Sequence, residues 1–365
     1  IMPDHVVTSL IEDFSRYNLS LAACPADEMG QAYEYLIGKF ADDAGNTAQE
    51  FYTNRTVVTL MAEILQPKPN ESIYDPTCGS GGMLVKCLDY LRQKGEPWQG
   101  VKVFGQEINI LTSAIARMNL YLNGVQDFSI ACADTLENPA FVDGSQLRKF
   151  DVVLANPPYS ISQWNREKFM SDKWKRNFLG TPPQGRADYA FFQHILASMD
   201  EDTGRCAILF PHGVLFRDEE KEMRTNLIKN DVLDCVIGLG PNLFFNASME
   251  ACIVLCCNNK PDNHKNKVLF IDAKNEVTRK NAESYLEKKH IKRIVDTYRE
   301  YQEENGFSAI VSIEEILSNK SLISIQSYVT AKSNCEILNL SDSFESWITQ
   351  SHRTHIEVNN LLKLL

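Results

Sequence analysis

Residues 72–88 read "SIYDPTCGSGGMLVKCL". The first part is apolar and short, and it stops at Asp75 and Pro76, as a strand entering a turn does. Gly79, Gly81 and Gly82 let the backbone fold back tightly and approach a ligand closely. From Met83 the apolar residues recur at helical spacing, and a helix that starts there presents unpaired N–H groups to the same ligand. Strand, glycine turn and helix together resemble the opening of a dinucleotide site, although the spacing is not GxGxxG.

The pattern repeats outward from this unit. Candidate strands are "SIYDP", "VKVFGQEI", "FSIACAD", "FDVVLANP", "RCAILFP", "DCVIGLG", "ACIVLCC" and "KVLFIDA", and helical stretches such as "MLVKCLDYLRQ" and "LTSAIARMNLYLNG" lie between the early ones. This alternation predicts an α/β fold, a Rossmann-like, mainly parallel sheet with helices on both faces. The link between "DCVIGLG" and "ACIVLCC" is too short for a helical crossover, so these two are expected as an antiparallel pair at one edge. Residues 49–275 form the expected catalytic domain. Before it, "MGQAYEYLIGKFADDAG" reads as helical, within an N-terminal helical remnant over 1–48. After it, the charged stretch 274–300 and the amphipathic stretch 343–365 read as helices of a C-terminal extension over 276–365, the last a closing helix.

Composition narrows the class. The chain has 365 residues, 44% of them hydrophobic and 23% charged, which suits a globular protein with a large core. It shows no apolar run of membrane-spanning length and no signal-peptide pattern, so a cytoplasmic location is expected. Its ten cysteines include no CxxC pair, which favours reduced thiols over a metal site or a disulfide framework. A net charge of −11 excludes a protein that grips nucleic acid over its whole surface, because phosphate contact then needs a local basic patch or a partner.

Three successive strands end in acids: Asp75, then Glu107 in "VFGQEIN", then Asp134 after "FSIACA". In an open α/β sheet the carboxyl ends of the strands line the ligand crevice, where an acid can accept both hydroxyls of a ribose. Each acid taken alone is equally a loop residue or a helix cap; three in register point to a ligand. Acids in place of phosphate-binding lysines suit S-adenosylmethionine, which carries a sulfonium, an amine and a ribose diol.

The fourth strand runs into Asn156, Pro157, Pro158 and Tyr159. An Asn side-chain oxygen and the carbonyl of Pro157, whose backbone is restricted, make two acceptors for one NH2 group. Such a pair orients the nitrogen toward a methyl donor, and Tyr159 stacks on the base that carries it. A base inside a duplex reaches such a pocket only when flipped out. The bland alternative is an ordinary proline turn.

These residues resemble the amino-methyltransferases that act on adenine N6 in DNA. "DPTCGSGG" is similar to their motif I, "GQEIN" to motif II and "NPPY" to motif IV. With "EFYTNRTVV" upstream and "GRADYAFFQHIL", "GRCAILFPHGVLFR", "NLFF" and "KVLFIDA" downstream, residues 8–330 resemble the modification subunit of type I restriction–modification systems. The resemblance implies that Glu50, Phe51, Tyr52, Thr53 and Arg55 border the cofactor. It places Asp75, Thr77, Gly79 and Gly81 around the cofactor's amino-acid end and Glu107 on its ribose. Asp134 falls beside its adenine or near the target pocket, and Phe244 or Phe245 opposite the flipped base. Two positions depart from the family: Asn54 stands where proline is usual, and Gln49 where glycine is frequent. Asn54 is expected to cap the following helix instead. Family members also usually carry a longer N-terminal helical domain.

Residues 161–180 follow the catalytic turn and hold Trp164, Lys173, Lys175 and Arg176, basic and aromatic groups suited to DNA backbone contact and base stacking. A solvated loop with packing tryptophans is the other reading. No base-reading module is visible. The resemblance implies a separate specificity subunit, a second modification subunit and, in the full system, a restriction nuclease subunit as partners. Two other functions fit part of the pattern: a protein glutamine N5-methyltransferase, which also offers an amide to an NPPY turn, and a non-catalytic scaffold with the same fold.

Overall fold

The computed structural model describes residues 3–18, 23, 32, 33, 36, 53–243, 250–280 and 283–330. The predicted closing helix lies outside them, and of the predicted helix near residue 30 only positions 32, 33 and 36 are described, all helical. Helix α1 (Asp4–Ser15) buries none of its residues. The chain divides into two units, residues 1–330 and residues 331–365.

Helix α2 (Arg55–Leu65) leads to β1 (Ser72–Asp75), the glycine turn, α3 (Gly82–Lys94), β2 (Lys102–Glu107), α4 (Ile110–Leu122) and β3 (Phe128–Cys132). A small hairpin, β4 (Val142–Asp143) and β5 (Gln146–Leu147), precedes β6 (Val152–Ala155). Then follow α5 (Arg166–Met170), α6 (Asp188–Ala197), β7 (Arg205–Pro211), α7 (Lys221–Lys229), β8 (Leu233–Leu239), β9 (Ala251–Cys257) and β10 (Lys267–Ala273). A second hairpin, β11 (Thr278–Lys280) and β12 (Glu283–Tyr285), leads to α8 (Lys288–Glu300), β13 (Ser308–Ser312) and α9 (Ile313–Ser318).

The main sheet has the order β13-β10-β8-β9-β7-β6-β1-β2-β3. β3, β2, β1, β6 and β7 are mutually parallel, as the alternation predicts. Along β6, Val152 and Leu154 enter one apolar cluster with α2, α3, α4 and α8. Val153 and Ala155 enter the other, with α6, α7 and α9. Period-2 alternation therefore feeds two cores, one on each face, which is the expected Rossmann-like α/β architecture.

Two expectations need correction. β8 and β9 do pair antiparallel, but inside the sheet: β9 sits between β7 and β8, and β10 and β13 extend the sheet beyond them. The stretch 274–300 is helical only in α8, because its first half forms the β11–β12 hairpin. Beyond residue 275, β13 pairs antiparallel with β10.

The glycine turn rests on β2 at Gly105. A Cβ at that position would lie 2.6 Å from Cδ1 of Ile130 and 2.9 Å from Sγ of Cys78, so only glycine lets the turn settle onto the strand. Gly105→Ala is expected to lower stability by about 1–3 kcal/mol through overpacking. Urea unfolding measures this, and Ile130→Val in the same chain should recover part of the loss.

Candidate active site

β1 and β6 are neighbours in parallel register, with Ile73 opposite Val152 and Tyr74 opposite Val153. The turn after Asp75 and the turn beginning at Asn156 therefore leave the same edge of the sheet. The backbone N–H of Cys78 donates to the carbonyl of Gln106 at 2.9 Å, tying the glycine turn to β2. Gly79 and Gly81 have φ of 53° and 76°, conformations that favour glycine. Asn119, buried on α4, donates its amide to the carbonyl of Ser80 at 2.9 Å.

Asp75 is fully buried. One carboxylate oxygen accepts the N–H of Thr77 at 2.9 Å. The other, like the hydroxyl of Thr77, is buried without a well-formed hydrogen bond among the described residues. Burial pushes the Asp75 carboxyl up to about 8; the Thr77 N–H opposes this, and the negative charge of Glu107 adds to it. Two under-satisfied polar atoms beside a helix N-terminus fit a ligand that brings an ammonium group. Glu107 ends β2, and its two oxygens accept the N–H groups of Gly79 at 3.1 Å and Asn109 at 2.8 Å. This holds the carboxylate at the rim of the turn.

Asp134 lies beyond the end of β3, where one of its oxygens accepts from Leu136 at 2.8 Å and Glu137 at 3.0 Å and so caps its own turn. The adjacent Thr135 links that turn to the site, its hydroxyl donating to the carbonyl of Pro76 at 2.5 Å.

Thr53 joins the upstream segment to the Asn-Pro-Pro-Tyr turn. The side-chain amide of Asn156 donates to the Thr53 hydroxyl at 2.9 Å, while the Tyr159 hydroxyl donates to the Asn156 oxygen at 2.8 Å. Tyr159 is thus bound to Asn156 through its hydroxyl as well as offering a ring, and burial raises its pKa. Pro157 is buried, and Pro158 is half-buried. Asn54 caps α2 as expected, its oxygen accepting from Thr56 N at 3.0 Å. Its amide also donates to the carbonyl of Ser284 at 3.0 Å, and the Thr56 hydroxyl accepts from Leu286 N at 2.9 Å. Hairpin β11–β12 therefore braces this segment. Arg55 opens α2 and is exposed. Glu50, Phe51, Tyr52, Phe244 and Phe245 lie outside the described residues.

The basic–aromatic segment divides in two. Lys173 and Lys175 are exposed, and the Lys173 ammonium lies 4.1 Å from the centre of the Trp174 ring. Arg176 is not available to phosphate. Its side chain is 1% exposed, pairs with Asp172 at 2.7 Å and donates to the carbonyls of Thr135 and Leu136. It also contacts Nδ1 of His194 at 3.1 Å. Because a guanidinium only donates, Nδ1 accepts, and the His194 Nε2–H is left to donate to the Tyr74 hydroxyl at 3.0 Å. Burial and the Arg176 charge hold the His194 pKa well below its usual value. Trp164 packs edge-on against Phe169 and donates to the carbonyl of Gln184, as a packing residue does. Among the described residues, no group of three His, Cys, Asp or Glu side chains is placed to hold a metal ion. No helix among them is long and apolar enough to cross a membrane.

Sheet order, glycine turn and Asn-Pro-Pro-Tyr turn on adjacent strand ends define the Rossmann-like methyltransferase class. Residues 25–336 match the family model of the N-6 DNA methylases, and the chain belongs to that family. It is 30% identical over 347 residues to the type I restriction enzyme MjaIX methylase subunit of Methanocaldococcus jannaschii, covering 91% of this chain and 61% of that protein. It is 32% identical to the MpnII methylase subunit of Mycoplasma pneumoniae, covering 86% of this chain and 59% of that protein. The crystal structure of a type I restriction-modification methyltransferase subunit from Streptococcus thermophilus superposes with a TM-score of 0.76 at 36% identity, over 85% of this chain and 65% of that one. The chain thus spans about three-fifths of the length of these curated relatives.

Asp75 stays protonated in the fold at pH values where an unfolded carboxyl, with a pKa of about 3.9, is ionised. The folded state then binds the extra proton, so stability falls as pH rises from about 4 to about 8, by up to about 1.4 kcal/mol per unit. Asp75→Asn removes that slope. The variant should be more stable than the parent, with a gap that widens between pH 5 and pH 8 in urea unfolding.

Proposed function

We propose that the chain transfers a methyl group from S-adenosylmethionine to N6 of adenine in DNA, as the modification subunit of a type I restriction–modification assembly. The observation that carries this reading is the placing of Asn156, oriented by Thr53 and Tyr159, on the strand next to the glycine turn. When bound, S-adenosylmethionine supplies an electrophilic methyl group. Asp75 and Thr77 would hold its amino-acid end, Gly79 and Gly81 would let it approach the backbone, and Glu107 would accept the ribose hydroxyls. The Asn156 oxygen and the Pro157 carbonyl would accept the two N–H groups of the target amine and fix the direction of the nitrogen lone pair. Tyr159 would stack on the extruded adenine. Lys173 and Lys175 supply phosphate contacts. With a net charge of −11 the chain has little overall attraction for phosphate, so a specificity subunit would choose the site and deliver the DNA, with a second modification subunit alongside.

Labelled methyl transfer to unmethylated genomic DNA, with and without a specificity subunit and against a glutamine peptide, tests the reading; transfer to the peptide alone would overturn it. Asn156→Ala is expected to lower transfer by at least about 100-fold, as loss of a preorganised polar partner does, with the cofactor dissociation constant nearly unchanged. Equal loss of transfer and cofactor affinity would show that Asn156 does not act on the target amine. Tyr159→Phe keeps the ring but removes one of the two contacts that orient Asn156, so its turnover should fall about tenfold. Tyr159→Ala loses stacking of about 1–3 kcal/mol and should fall much further.

A further inference from the structure

Ser160, the residue after the catalytic turn, has a left-handed φ of 53°. Its N–H donates to one oxygen of Asp188 at 2.8 Å. Asp188 is 1% exposed and stands in the first turn of α6, where a carboxylate is favoured by the helix dipole. Its other oxygen accepts from Nη1 of Arg217 at 2.7 Å. The same nitrogen lies 3.5 Å from the buried Glu220. Arg217 is itself confined: a Cβ at Gly213 would lie 2.4 Å from the guanidinium, and the Arg217 carbonyl accepts from Arg224 at 2.6 Å. A second tie runs beside the first, with Ala187 N donating to the carbonyl of Ile161 at 3.1 Å.

The catalytic turn is thus pinned at both ends. Asn156 is held by Thr53, and Ser160 is held by Asp188. Between them lie two prolines with restricted φ and Tyr159. With both ends fixed, the Pro157 carbonyl has little room to swing.

We infer that Asp188, with Arg217 behind it, is the positioning residue that aims the Pro157 carbonyl and the Tyr159 ring at the target base. This rests on the methyltransferase reading above. Asp188 acts through Ser160 and needs no contact of its own with cofactor or base. A misplacement of about 1 Å in such an array can cost about 100-fold in rate.

The test measures single-turnover methyl transfer to unmethylated genomic DNA by the chain with its specificity subunit, alongside the cofactor dissociation constant and the melting temperature. Asp188→Asn keeps an acceptor for the Ser160 N–H but drops the charge that anchors Arg217, and its transfer rate should fall about tenfold. Asp188→Ala loses both contacts and should fall about 100-fold. In both, cofactor affinity should stay within about twofold, because Asp75, Glu107 and the glycine turn are untouched. Arg217→Met should match Asp188→Asn, and Arg217→Lys should recover most of the rate. A parent chain that transfers no methyl group would overturn the functional reading. A parent that works, beside Asp188→Asn and Arg217→Met variants within about twofold of it, would overturn this inference alone. Loss of rate in strict proportion to loss of cofactor-competent protein would do the same, marking Asp188 as a folding residue; if Asp188→Ala fails to fold, the other two variants carry the test.

Discussion

The parallel hydrogen bonds between β1 and β6 set the position of the two turns around which the site is built. They place Asp75 and Asn156 at the ends of adjacent strands, roughly the 4.8 Å inter-strand spacing apart in the sheet direction. The turns that follow then leave the same end of the two strands, the glycine turn into α3 on one face and the proline turn toward α6 on the other. A pairing shifted by one residue would send Val153 and Ala155 to the wrong core and carry Asn156 away from the edge. The two apolar clusters therefore enforce the chemistry: by fixing which face each side chain of β6 occupies, they fix where the amide ends up.

Two ionisable groups in this interior are held in contrasting ways. Arg176 is satisfied by a two-pronged carboxylate, two carbonyls and an imidazole. Removing one partner from such a group is costly, since the remaining charge is left buried. Asp75 is the opposite case. It has a single good protein partner, takes a proton to lessen the cost, and keeps one oxygen in reserve. The contrast separates a fully satisfied buried ion from a carboxyl with an oxygen to spare more sharply than charge or burial alone.

Much of this was legible in the residues. All eight strands named from the sequence are present, because their short apolar runs are bounded by turn residues and separated from the helical stretches. β13, "SAIVS", escaped notice: it is short and half polar, and its partner β10 is remote in sequence. The link between β8 and β9 showed that they run antiparallel, but connection length carries no information about which neighbour flanks the pair. Arg176 looked like a phosphate contact because it stands in a basic, aromatic run; the signal that it is internal was Asp172, four residues earlier, confirmed only by His194 from α6. The tie from Asp188 to Ser160 N and the tie from Asn119 to the Ser80 carbonyl were invisible, since each joins a helix to the backbone of a distant loop. The Asn54 cap was readable because both its ends are local.

The bracing of the upstream segment by β11–β12 has a consequence for biosynthesis. Asn54 and Thr56 meet Ser284 and Leu286 across most of the folded unit's length. Contacts of such long sequence separation close late in folding. On the ribosome, the glycine turn and the proline turn can emerge and pair while the brace is still untranslated. A nascent chain would therefore hold most of the sheet before Asn54 and Thr56 meet their partners.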